Sequence, residues 1–310
     1  MNTNWKTDKY LITTIDPLHI GTGGQRLGRV DATVVRDLTT NVPKIPGTSL
    51  SGALKFFLDL ALRNEGKTNI CAATAGSDEE NDHERSECPV CAAFGYTGKK
   101  RSMQGILQFS DADMLAFPVN SAVGPVWIST PSRVRDLCGL GSGADDLGEY
   151  FSPVGGDAGI FKNRQVLNFG WIMLERNDVK SDQVSVEALV KCRIPARYAE
   201  RMVLVSEYVF ANLVNSNMEV RTSVVIDPQT GAAKTGGLFT YEAVVKGTMF
   251  VCSITENDYA GIWKKVRWQE QFPSALAMLA SKAFGGVEAV GIGGMTTRGF
   301  GRLNIQPMGE

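Results

Sequence analysis

Residues 10–24 read Tyr10-Leu11-Ile12-Thr13-Thr14-Ile15-Asp16-Pro17-Leu18-His19-Ile20-Gly21-Thr22-Gly23-Gly24, a β-branched run that breaks into a glycine loop. The run from Tyr10 to Asp16 predicts a strand. A second short strand is predicted at Ala32–Arg36. Pro46-Gly47 then breaks the chain, with Thr48 or Ser49 placed to cap a helix. Leu50, Leu54, Phe57, Leu58 and Ala61 recur at helical spacing along one face of that helix. The far end of the chain echoes this order. A strand is predicted at Thr248–Ile254, a helix opening at Pro273 with Leu276, Leu279, Ala283 and Phe284 on its apolar face, and two short strands around Gly291–Arg302. Strand, helix and strands at both ends predict an α+β sheet domain of ferredoxin-like type, with the middle third as insertions.

Within that third, strands are predicted at Gly105–Ser110, Val123–Ser129, Gln165–Glu175 and Val184–Cys192, and a helix at Glu207–Leu213. The glycine-rich acidic stretch 138–159 predicts a mobile loop. Val220–Asp227, the turn Pro228-Gln229-Thr230-Gly231 and Ala232–Val245 predict a long, protruding β-hairpin.

Composition narrows the classes. With 310 residues, 43% hydrophobic and 21% charged, the chain has material for one large core. Glycine, at 33 residues, exceeds the usual ~7% share, which implies many turns or close backbone approaches to a ligand. Thirty-two basic against 33 acidic residues leave a net charge of -1, so any nucleic-acid site must come from local clustering. No run approaches the ~18 apolar residues of a membrane span, and Met1–Lys9 carries no apolar signal core. Six unevenly spread cysteines do not make a disulfide scaffold. The expectation is a soluble, cytoplasmic protein.

Three constellations carry chemistry. In the first, eleven residues separate Cys71 from His83, four separate His83 from Cys88, and two separate Cys88 from Cys91. This is a ligand set for a closed, structural Zn2+ ordering a polar insert at 65–91; the competing reading is a loop with incidental cysteines. In the second, Gly21 and Gly23 let backbone N–H groups approach phosphate, and Arg26 and Arg29 add charge beside the lone carboxylate of Asp31. Asp31 reads either as holding Mg2+ through water and phosphate, or polarising a ribose hydroxyl, or as a turn carboxylate paired with Arg29. His19 reads as a hydrogen-bonded core residue or as an RNA contact. In the third, the second glycine loop, ending in Arg298 and Arg302, joins Ser49, Ser51 and Lys55 as a strip of phosphate donors; its competing reading is an ordinary hairpin turn. With two histidines, one claimed by the cysteine cluster, a two-histidine ribonuclease has no material, and no G-x-S-x-G or H-E-x-x-H occurs.

Several pieces together resemble a known family. They are His19-Ile20-Gly21-Thr22-Gly23, Asp31 with Val34-Val35-Arg36-Asp37, Ile45-Pro46-Gly47-Thr48-Ser49-Leu50-Ser51-Gly52-Ala53-Leu54-Lys55 and Phe94-Gly95. The run Phe109–Val119, Gly124-Pro125-Val126-Trp127-Ile128-Ser129-Thr130-Pro131, Tyr241-Glu242 and the loop Gly293–Gly301 complete the pattern. In that order they resemble the RAMP superfamily of CRISPR proteins, most closely the backbone subunit of type III-B (Cmr) effector complexes. Type III-A (Csm) and III-D backbone subunits are close relatives.

The resemblance implies one RAMP domain over 1–310, with an RRM-like palm from 1–64, 92–130 and 246–310 and a thumb hairpin at about 216–245. It implies copies stacked along a CRISPR RNA guide beside other type III subunits, and a complementary single-stranded target RNA cut at regular intervals. In that picture the thumb splays one nucleotide, Asp31 assists Mg2+- or Mn2+-dependent attack by the 2′-hydroxyl, and His19 and Glu242 stand near the cut. Gly21, Gly23, Arg26, Arg29, Ser49, Ser51, Lys55, Thr297, Arg298 and Gly299 would hold RNA. Two other readings stand beside it: a guide-binding filament subunit without cleavage of its own, and a monomeric endonuclease that processes the CRISPR precursor.

Overall fold

The strand predicted at Tyr10–Asp16 is the end of a longer one, β1 (Trp5–Thr14), whose alternation divides the core in two. Tyr10 and Ile12 enter one apolar cluster and Leu11 the other. This is the period-2 signature of a strand buried on both faces. The computed structural model describes residues 5–23, 30–66, 71, 87–97, 102–140, 147–177, 184–266 and 269–309.

After β1 come α1 (Gly47–Asn64), α2 (Pro89–Phe94) and the strands β2 (Gly95–Thr97), β3 (Ser102–Gln104), β4 (Leu107–Phe109), β5 (Asp113–Val119) and β6 (Val126–Ser129). The middle holds α3 (Pro131–Cys138), β7 (Tyr150–Pro153), β8 (Val166–Phe169), β9 (Ile172–Arg176), α4 (Val186–Lys191), α5 (Ala196–Ala199), β10 (Met202–Leu204) and α6 (Glu207–Ser216). The chain closes with β11 (Glu219–Ile226), β12 (Ala233–Ala243), β13 (Met249–Asn257), α7 (Ala275–Lys282), α8 (Phe284–Ala289) and β14 (Leu303–Pro307).

One mixed sheet runs β14-β1-β13-β5-β6-β10-β7-β9-β8, with β4 also paired to β13. β1 lies antiparallel to both β13 and β14, and β13 antiparallel to β4 and β5. With α1 between the first and second strands and α7–α8 between the third and last, this is the ferredoxin-like β-α-β-β-α-β arrangement that the two chain ends predict. Helices α1 and α7 cover one face through Leu50, Leu54, Phe57, Leu58, Leu276 and Leu279. The other face packs on Val134, Leu189 and Ala199 of α3, α4 and α5. The middle third therefore extends the sheet and covers its second face.

Several local expectations are corrected. Val184–Cys192 is not a strand: Ser185 caps α4 by accepting from the Ala188 N–H, and Glu187 stands in its first turn, both favourable at a helix start. Ala32–Arg36 makes isolated bridges to neighbours rather than a strand. Gln165–Glu175 splits into β8 and β9 at Gly170, whose φ is +60°. The stretch 138–159 contains β7, and its residues 141–146 lie outside the described ones. Neither Thr48 nor Ser49 caps α1: the helix already begins at Gly47, whose N–H donates to the Asp111 carboxylate at 2.8 Å. Pro273 stands one residue before Ser274, which caps α7. After Gly291 there is one strand, β14, and the glycine loop carries a short 3-10 turn at Thr296–Arg298.

The predicted hairpin is β11–β12, registered Glu219↔Ala243 through Val224↔Leu238. Tyr241, Glu242 and Ala243 at its base are buried, while residues 233–236 and 238–239 toward its tip are exposed. Among the described residues no helix is long and apolar enough to cross a membrane.

Candidate nucleic-acid interface

The two glycine loops meet at the base of this hairpin. Leu18 and Val244 exchange both backbone hydrogen bonds, at 2.8 and 2.9 Å. The His19 carbonyl accepts from Gly294 N–H at 2.8 Å, and the Pro17 carbonyl accepts from Gly301 N–H at 2.9 Å. Gly293, at φ +82°, has no substitute here, because a Cβ would sit 2.4 Å from the His19 carbonyl oxygen. Thr297, Arg298 and Gly299 stand exposed on the second loop, and Gly21 and Gly23 stand exposed on the first.

Segment 31–36 runs along β12 and is fastened to it at both ends. Strand alternation places the Thr240 and Glu242 side chains on one face of β12, toward this segment. Thr240 donates its N–H and its hydroxyl to Asp31 Oδ2, each at 2.7 Å, and its Oγ1 lies 3.1 Å from the Asp31 N–H. These donors hold the half-buried Asp31 carboxyl below the usual carboxylate range, the Thr240 N–H contributing most. Both hydrogen bonds that Thr240 gives this carboxylate fall on Oδ2. At the other end Glu242 Oε1 accepts from Arg36 Nη2 at 2.6 Å and Oε2 from Val34 N–H at 3.3 Å. Arg36 is fixed in turn by Asn215 Oδ1, 3.0 Å from its Nε.

His19 is buried, and its Nδ1 lies 2.6 Å from the Glu242 carbonyl oxygen. A carbonyl only accepts, so Nδ1 carries the proton and Nε2 is left as an acceptor in the neutral ring. Nε2 faces Gly21, where a Cβ would approach it to 3.1 Å. Behind it Tyr241 packs edge-on to Phe300 at 5.6 Å, and the Arg221 guanidinium lies 4.4 Å over the Phe300 ring.

The sequence-predicted residues thus divide. His19, Gly21, Gly23, Asp31 and Glu242 converge, with the Thr297–Gly299 loop carried on the same junction. Glu242, expected near the cut, has its carboxylate turned onto Arg36 and Val34, where it fastens the Asp31 segment. Arg26 and Arg29 lie outside the described residues, so the pairing of Asp31 with Arg29 does too. Ser49 and Ser51 lie in the opening turns of α1, whose N-terminus is occupied by the Asp111 carboxylate. Lys55 is directed to the Gly95 carbonyl at 3.4 Å, beside the cysteine cluster. Thr240 was not singled out by the sequence, and Arg36 stood there only as part of the run Val34-Val35-Arg36-Asp37. The only signal for Thr240 is the two-residue step back from Glu242 along a predicted strand.

A second centre forms where α1 meets α2. The thiols of Cys71, Cys88 and Cys91 are buried and lie within 4.8 Å of one another, with 3.4 Å between the sulfurs of Cys71 and Cys88. Cys88 stands at the α2 N-cap and Cys91 in its first turn, so the Cys-x2-Cys spacing delivers both from one turn. Cys71 is anchored through its N–H to the buried carboxylate of Asp59 at 3.0 Å, and Asp59 pairs with Arg63 at 3.1 Å. Three buried sulfurs at one point form a soft donor set that suits Zn2+. The expected fourth ligand, His83, lies outside the described residues.

The fold agrees with what the chain is similar to. The RAMP superfamily model matches residues 11–304, and the chain belongs to that superfamily. A curated relative, the CRISPR system Cmr endoribonuclease Cmr4 of Pyrococcus furiosus, is 25% identical over 249 residues, covering 76% of this chain and 77% of that protein. Among solved structures, the type III-B Cmr-beta complex bound to cognate target RNA holds a chain with a TM-score of 0.67 at 16% identity, covering 97% of each chain. The oligomeric Cmr4 crystal structure from Pyrococcus furiosus gives a TM-score of 0.60 at 18% identity, over 98% of this chain and all of that one.

Proposed function

We propose that this protein is the guide-binding backbone subunit of a type III-B CRISPR effector complex, and that it cuts complementary target RNA at regular intervals. Copies of the chain would stack along the CRISPR RNA beside other Cmr subunits. The observation that carries this reading is the Asp31 carboxylate, fastened by Thr240 to a strand of an exposed apolar hairpin at whose base two glycine loops meet. The relative named as the Cmr endoribonuclease and the likeness to a chain of a target-bound Cmr complex support it.

The chemistry follows from the parts. The exposed loop with Thr297, Arg298 and Gly299 offers N–H groups and a guanidinium to backbone phosphates, and Gly21 and Gly23 offer close main-chain approach. The apolar hairpin face built from Val224 and Leu238 wedges between stacked bases and turns one nucleotide out of an A-form duplex. That nucleotide is then free to align its 2′-oxygen with the adjacent phosphorus. The 2′-oxygen bonds to phosphorus, the bond from phosphorus to the 5′-oxygen breaks, and the products are a 2′,3′-cyclic phosphate and a 5′-hydroxyl. Asp31 would take up the 2′-hydroxyl proton, and water would return a proton to the leaving oxygen. Asp31 is also the residue that would hold a divalent ion such as Mg2+ or Mn2+, through water and the bound phosphate, its carboxylate being a hard donor. Bound there, such an ion would neutralise charge developing on the phosphate. Cys71, Cys88 and Cys91, with His83, would hold a structural Zn2+ that orders the insert.

The test is a reconstituted complex given guide, magnesium and an end-labelled target carrying a single 2′-deoxy nucleotide at one cut position. One band of the regular ladder is expected to disappear while the others persist. A ladder indifferent to the 2′-deoxy substitution contradicts it.

A further inference from the structure

Thr240 makes a denser set of contacts with Asp31 than the pairing of their segments requires. The backbone pairing of this region is already served by Ala32 N–H to the Thr240 carbonyl at 3.1 Å and Glu242 N–H to the Ala32 carbonyl at 3.0 Å. Beyond these, the Thr240 N–H and hydroxyl both converge on the same carboxylate oxygen, Oδ2, while the hydroxyl oxygen also lies against the Asp31 N–H. A carboxylate gripped at one oxygen by two fixed donors has its other oxygen aimed. An acid–base group whose rotamer is locked by its supporting contacts spends no entropy in reaching the reactive geometry.

The grip comes from the hairpin itself. Along β12, alternation puts Leu238 on the same face as Thr240, and its cross-strand partner is Val224. Leu238 and Val224 are 64% and 45% exposed. A base seated on that apolar pair lies roughly 7 Å along the strand from the clasp, two residues at ~3.4 Å each. The side chains that would displace a nucleotide and the carboxylate that would act on its sugar are thereby registered to one strand.

We infer that Thr240 is the positioning residue for Asp31, its hydroxyl fixing the carboxylate relative to the apolar face of the hairpin. This rests on the cleavage reading proposed above. The experiment compares Thr240→Val, Thr240→Ser and Asp31→Asn in the reconstituted complex, measuring target affinity and single-turnover cutting separately. Valine keeps the β-branched shape and the N–H but removes the hydroxyl; serine keeps the hydroxyl. Thr240→Val is expected to slow cutting by on the order of 10–100-fold at unchanged cut spacing, because a misaimed catalytic group loses rate rather than affinity. Target affinity should stay within about twofold, and Thr240→Ser should cut within about threefold of the parent. Should Thr240→Val not assemble with guide, Thr240→Ala is held to the same criteria.

Parent-like cutting by Thr240→Val overturns the inference, as does a Thr240→Ser variant as slow as the valine or a rate loss that follows weakened target binding. Asp31→Asn separates the two levels. If it cuts at the parent rate, the cleavage reading itself fails. If it is inactive while Thr240→Val is normal, only the role of Thr240 fails.

Discussion

Arg36 and Glu242 form an ion pair of 2.6 Å whose side chains are 19% and 11% exposed, and through it the segment bearing Asp31 is held to the hairpin. Neither charge tolerates the loss of the other, since a carboxylate left alone at this depth keeps its desolvation cost without a partner. Arg36→Met is expected to lower the unfolding free energy by about 2–3 kcal/mol, below the full cost of a buried pair because some water reaches both ends. Glu242→Gln, which retains an acceptor for the guanidinium, should cost less. Denaturant titration of the two variants checks the order.

The glycine junction makes a sharper demand. Gly293→Ala places a methyl group 2.4 Å from the His19 carbonyl oxygen at a φ of +82°, so the loop must shift. The expected cost is about 1–3 kcal/mol, with weaker guide binding, because Thr297 and Arg298 ride on the same loop. Gly299→Ala also forces a positive φ, but a Cβ there meets nothing within 4 Å, so it should cost less. Thermal unfolding and filter binding of guide RNA distinguish the two.

Acid stability has a predictable window. Asp16 is held below its usual range by the Arg302 fork, Asp31 by Thr240, Asp37 by the Thr40 N–H and Asp111 by the Gly47 N–H. Each therefore binds its proton less readily folded than unfolded. The stability they contribute is fully present above the unfolded carboxylate pKa of about 4 and is lost as pH falls through the lower folded values. From these four groups the melting temperature should show no dependence between pH 5 and pH 7, with a decline confined to more acid solution. A decline already complete at pH 5 would contradict this assignment.

The cysteine centre is tested by metal content. The protein as purified should carry close to one equivalent of zinc, and Cys88→Ser with Cys91→Ser should remove it and lower the melting temperature. Less than half an equivalent in the parent would count against a structural site.

Legibility followed the range of each interaction. Helix α1 was readable because Leu50, Leu54, Phe57 and Leu58 repeat at helical period, and the hairpin because the β-branched run Val220–Ile226 leads into the turn Pro228-Gln229-Thr230-Gly231. Helix α4 was misread because Val184, Val186 and Val190 resemble a strand, while the decisive features were the Ser185 cap and a single buried leucine, Leu189. Cys88 and Cys91 were legible from local spacing. Asp31 stood out as a lone carboxylate, but its partner Thr240 is 209 positions away, and no local pattern links them. Lys55 looked like a phosphate ligand from its place on the helix; its contact with the Gly95 carbonyl at 3.4 Å is one that only the fold creates.

The most direct test of the central claim is Asp31→Asn in the assembled ribonucleoprotein, an almost isosteric change that removes the proton acceptor. With guide and target bound as tightly as in the parent, the regular ladder of target fragments should vanish. Fragments of the same spacing appearing at the parent rate would contradict the account.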